Sequence, residues 1–167
     1  MLSTEILNKN VRRNNNYNDV VNLLVHGSIA GNDIISKVKV FSDIKDLIVF
    51  AAFVGEYFQI KEDVDVKNST GITLMTFSGS GSGKRSRLDQ HNIIFMMSLL
   101  SFEDMNMIRD ENINDAIDLF EKFSNGGLSK IRGWLVDSAW NPIVLLDKII
   151  DELPDNTFGQ PPEDNPF

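Results

Sequence analysis

Residues Ile113 to Leu135, INDAIDLFEKFSNGGLSKIRGWL, constrain the fold more than any other stretch of the chain. Ile113, Ala116, Ile117, Phe120 and Phe123 recur at helical spacing, with Asp115, Asp118, Glu121 and Lys122 on the opposite side, so one face is built for burial. Asn125-Gly126-Gly127 follows, and a glycine after such a run supplies a left-handed helix stop. Leu128, Ile131 and Leu135 then begin a second apolar stripe. The pattern predicts a helical hairpin whose two arms are forced together by a short connection.

A second strong element is DIKDLIVFAAFV, residues 43–54, with Ser42 as its expected N-cap and Gly55 as its expected stop. Asp43 and Asp46 sit in the first turn, where the helix dipole favours negative charge. After that turn almost no polar face remains, which predicts a central core helix in which truncating Phe50 or Phe53 costs about 3 to 5 kcal/mol. A short helix capped by Asn18 or Asp19 is expected through His26, burying Val20, Val21, Leu23 and Leu24; residues 34–41 fit either strand or helix. DQHNIIFMMSLL, residues 89–100, reads as another core helix needing cover on more than one side. Pro142 suits the first turn of a last helix, residues 143–153, closed by Pro154. Between Tyr57 and Phe77 the β-branched and aromatic content, densest from Gly71 onward, predicts a short β hairpin around 58–77 or a pair of extended segments.

The expected class is mainly α, a compact helical domain. A flexible arm over 1–16, one helical domain over 17–153 and an acidic disordered tail over 154–167 complete the reading. With 167 residues the chain is large enough for one core. The absence of cysteine excludes disulfides and thiol chemistry and fits a cytoplasmic setting. No secretory leader or membrane-spanning run is apparent, so no membrane role is expected. The net charge of −8 is concentrated late, with five Lys/Arg against fourteen Asp/Glu in residues 102–167. Such a chain repels nucleic acid overall, which favours a protein partner.

Motifs with possible chemistry are few. SGSGSG (78–83) followed by Lys84 and Arg85 invites comparison with a phosphate-binding loop, yet a Walker-type count puts Ser78 at the first glycine position and Arg85 at the hydroxyl position. A mobile loop is the plainer reading, with Lys84, Arg85 and Arg87 as candidate contacts to an acidic partner or a nucleic-acid backbone. His26 and His91 lie in no metal or nucleophile motif, and Asp89 with His91 faces different sides of a helix. No cofactor, metal or catalytic residue is assigned, and the chain is expected not to be an enzyme. Trp134 and Trp140 are expected at the core edge, with a partner anchor as the alternative. Met96, Met97 and the Trp pair are candidates for a homodimer contact. Glu163, Asp164 and Phe167, at the acidic Pro-Phe terminus, resemble the tip of bacterial single-stranded DNA-binding proteins, which docks onto DNA-metabolism enzymes.

FSDIKDLIVFAAFVGEYF (41–58), the apolar block near 93–100, and LFEKFSNGGLSKIRGWL (119–135) followed by an apolar helix resemble the small accessory proteins of Dnd-type DNA phosphorothioation and restriction systems. The order of these blocks spans residues 41–153. The resemblance implies an accessory or regulatory role in bacterial anti-phage defence, exerted on larger proteins of a modification and restriction complex. A DNA-associated subunit touching the backbone through 84–87 is the alternative, as is docking onto DNA enzymes through the C-terminus.

Overall fold

Asn125, Gly126 and Gly127 do not turn the chain. They lie inside one uninterrupted helix, Ile113–Asp137, and the expected hairpin there is corrected to a single element of 25 residues. The glycines serve a different purpose. A methyl group on Gly127 would stand 2.6 Å from the Ala51 carbonyl carbon, and one on Gly55 would stand 2.8 Å from that of Phe123. The same group on Gly126 would meet the Ile60 carbonyl carbon at 2.6 Å. Two backbones therefore touch at this crossing, which only residues without Cβ permit. Gly55 is likewise not a stop, since its helix continues to Tyr57.

In the computed structural model, residues 3–28, 39–78, 90–103, 106 and 109–152 are described. Their order is α1 (Thr4–Leu7), β1 (Asn10–Asn14), α2 (Asn18–Leu24), α3 (Ile44–Tyr57), β2 (Ser69–Thr73), α4 (Leu74–Phe77), α5 (His91–Phe102), α6 (Ile113–Asp137) and α7 (Leu145–Glu152). The fold is mainly α with one short antiparallel sheet, as expected. The sheet is not a local hairpin, however: β2 pairs with β1, Asn10 opposite Thr73 and Asn14 opposite Ser69. Residues 10–14, assigned from sequence to a loose arm, thus form a strand. After Thr73 the expected strand gives way to α4, whose Leu74 and Phe77 turn into the core.

The α3–α6 crossing divides the interior in two. On one side Ile48 and Ala52 of α3 meet Phe120 and Phe123 of α6, Phe77, Val11, and Ile94 and Met97 of α5. On the other, Leu47, Ala51 and Val54 meet Leu128, Ile131, Trp134 and Leu135, closed by Val20, Val21, Leu23 and Leu24 of α2 and by Leu145. A helix serving two cores needs apolar residues nearly all round, which explains the composition of α3. Asp43, rather than Ser42, is its N-cap, while the Ser42 hydroxyl donates to Asp46 at 3.1 Å.

The expected central burial of both phenylalanines is corrected. Phe50 is half-buried against Phe41, and Phe53 is 48% exposed. Phe53→Ala is therefore expected to lower the unfolding free energy by less than about 1 kcal/mol in a urea titration. Similarly α5 buries Ile94, Met97 and Ser98 while Met96, Leu100 and Phe102 stand exposed. The chain does reverse after α6, at Ser138–Asn141, where Ala139 and Trp140 both adopt left-handed backbone. Pro142 opens a 3-10 turn that leads into α7.

Candidate functional site

Two places gather polar groups against the core. The first is the seam between β1 and α6. Among the described residues no third strand borders the outer edge of β1, so its N–H groups need acceptors from elsewhere. Glu121 and Asn125, one helical turn apart on α6, supply them: Arg12 N–H donates to Glu121 Oε1 at 2.6 Å and Asn14 N–H to Asn125 Oδ1 at 2.8 Å. Asn125 in turn donates to the Glu121 carbonyl at 2.8 Å. Asn14 is the hub of the seam, its side chain accepting from Asp65 N–H at 2.8 Å and donating to Glu62 at 2.9 Å and the Asp63 carbonyl at 3.1 Å. The Tyr17 hydroxyl donates to the other oxygen of Glu62. Burial, together with that bond, pushes the phenol up to about 12.

Glu121 is only 5% exposed, and burial is the main reason its carboxyl is pushed up to about 7, against the opposing effect of the Arg12 N–H. It lines a cleft of about 590 Å³ with Asp115, Asp118, Lys9 and Arg12. Lys9 is tied to Asn114 at 2.8 Å, and Asp118 to Lys122 at 2.9 Å. Among the described residues no group of three His, Asp or Glu is placed to hold a metal ion. The arrangement makes Glu121 a clasp for β1.

The second place is the C-terminal corner. Trp134 is 3% exposed, and its indole N–H donates to Glu152 Oε1 at 2.6 Å. Lys130 binds the other oxygen of Glu152 at 2.5 Å and lies over the rings of Phe58 and Trp134 at 4.8 and 5.4 Å. Lys130 and the indole hold the Glu152 carboxyl below its ordinary range. This clamp folds α7 back along α6. Leu145 is buried and Ile149 packs against the core, which leaves Ile143, Leu146 and Ile150 facing out at 69, 62 and 56% exposure.

Of the residues singled out from sequence, Trp134 is a core residue whose indole is occupied by Glu152, and Trp140 is partly buried against the same cluster. Met97 is buried and Met96 exposed, so the two do not form one patch. Lys84, Arg85, Arg87, Glu163, Asp164 and Phe167 lie outside the described residues, as does Asp89. Sequence reasoning missed the Asn14–Glu62–Glu121–Asn125 seam. A faint signal was present in the carboxyl and amide spaced one turn apart beside two glycines.

The family model for DNA sulphur modification system-associated protein 4 matches residues 10–164. The chain belongs to this family. Its matched span begins with the first residue of β1, so the strand, both clasp residues, the glycine crossing and α7 all fall within the family's domain. The association with DNA sulphur modification agrees with the resemblance seen in the core blocks. No curated protein and no solved structure matches the chain.

Proposed function

We propose that this protein is a non-catalytic accessory subunit of a bacterial DNA sulphur modification and restriction system, acting in the cytoplasm by contact with the system's larger proteins. The family supplies the setting. The observation that carries the mode of action is the exposed apolar side chain content of two helices, Met96, Leu100 and Phe102 on α5 and Leu146 and Ile150 on α7, with Ile143 in the 3-10 turn leading into α7. Large apolar residues grouped at the surface of a well-formed core are the mark of an interaction site. Among the described residues the carboxyl pushed into the neutral range, Glu121, is engaged in holding a backbone N–H at 2.6 Å, a structural duty. Because the C-terminal half is strongly acidic, the surface offered there suits basic proteins better than nucleic acid.

The test is affinity purification of the tagged full chain from cells that also carry the neighbouring sulphur modification genes. Co-elution of one of their products at about 0.15 M salt, lost on separate expression and restored on mixing, is the expected result. A chain that elutes alone under every condition, or phage restriction that is lost in a folded Glu121→Gln variant, would contradict an accessory role without catalysis.

A further inference from the structure

The outward face of α7 has a composition that selects its occupant. Leu146 and Ile150 lie one turn apart on α7, and Ile143, in the 3-10 turn just before the helix, is exposed with them. Asp147 and Asp151, also one turn apart, form a second exposed row directly beside the first. Among the described residues neither carboxylate has a cationic partner. The helix's own cation, Lys148, is partly covered and acts on Glu152. Meanwhile the opposite side of α7 is fixed by Leu145, Ile149 and the Glu152 clamp, so the helix is held with this mixed face outward.

Resting on the accessory reading above, we propose that the Ile143–Leu146–Ile150 stripe docks an apolar segment flanked by Lys or Arg on a protein of the modification system. Charge decides among the occupants. A second copy would bring two rows of aspartates together on a chain of net charge −8. The chain's own end, residues 155–167, holds three acidic and no basic residues and meets the same repulsion. An apolar segment flanked by cations satisfies both rows at once, with the stripe providing the burial and the aspartates orientation and encounter rate.

A photocrosslinking amino acid placed at Leu146, at Ile150 or, as a reference, at the exposed Val66, in the full chain co-expressed with the neighbouring genes, tests this directly. Crosslinks from 146 and 150 are expected to map to an apolar, Lys/Arg-flanked segment of a modification-system protein. Asp147→Lys with Asp151→Lys, which changes only exposed positions, is expected to reduce that crosslink yield by roughly fivefold or more at low salt. Crosslinks to a second copy, to residues beyond Glu152 of the same chain, or to a segment without cations would overturn the proposal. So would a yield unchanged by the double substitution. Crosslinks from Val66 alone to a modification protein would remove α7 as the surface while leaving the accessory role standing, whereas no crosslink together with no co-elution would end both.

Discussion

Gly127→Ala is expected to destabilise the fold by about 3 kcal/mol or more, or to prevent folding, although the same substitution in an open helix stabilises it. The reason is the backbone contact at the α3–α6 crossing. The added methyl would lie 2.6 Å from the Ala51 carbonyl carbon and 2.9 Å from the Gly55 nitrogen, atoms that no rotamer change can move aside. Relief requires the two helices to separate, which loosens both cores they join. Gly133, on the same helix, is the internal reference, since nothing stands within 4 Å of its would-be Cβ. Gly133→Ala is expected to raise stability by about 1 kcal/mol through helix propensity alone. Denaturant titrations of the two variants beside the parent protein decide the matter. Equal signs for both would refute the close crossing.

Glu121→Gln is expected to stabilise the protein at neutral and alkaline pH, by about 1 to 3 kcal/mol, and to leave it unchanged near pH 4. The amide keeps an oxygen for the Arg12 N–H and removes the ionisation. In the native state the carboxyl is pushed from 4.5 up to about 7, chiefly by burial. A raised native value means that the stability associated with the protonated form is full below about pH 4.5 and is lost as pH rises through about 7. The gap between variant and parent should therefore open across that window and stay flat above it. Asp118, Asp115, Lys9 and Arg12 line the same cleft, so the comparison is made between the two proteins at each pH rather than along one melting curve. Glu121→Ala, which leaves the Arg12 N–H without its acceptor, is expected to lose about 1 to 3 kcal/mol near pH 4, a deficit that narrows as the parent ionises on the way to neutral pH. A gap between Gln variant and parent that is constant with pH would show that Glu121 does not titrate as described.

These two sites also show where sequence and structure part. α2 and α3 were legible because their apolar runs have no other use: Val20, Val21, Leu23 and Leu24 are buried as expected, and so are Leu47, Ile48, Ala51 and Ala52. The NGG stretch misleads because a glycine has two distinct uses, a left-handed stop and a missing Cβ, which look identical in a string of letters. Only the positions of Ala51, Gly55 and Ile60 across the gap distinguish them. β1 was hidden for a related reason. NVRRN carries little of the usual strand signal, and what holds it is Glu121 and Asn125, more than a hundred positions away. Of the candidate contacts, Trp134, expected at the core edge, is buried because its apolar neighbours Ile131 and Leu135 share the helix face. The outward stripe on α7 was invisible because the same isoleucine and leucine content fits either burial or display.

The double anchorage of β1 also governs how the protein is made. The strand emerges from the ribosome before its partners, which are Ser69–Thr73 on one edge and Glu121 and Asn125 on the other. Its α6 edge must wait, unpaired, until Glu121 and Asn125 have been synthesised. Its two arginines and two asparagines suit it to that interval, since a charged, polar strand is a poor template for a neighbouring nascent chain. The polarity that disguises the strand on paper thus protects it in the cell until α6 arrives to close over it.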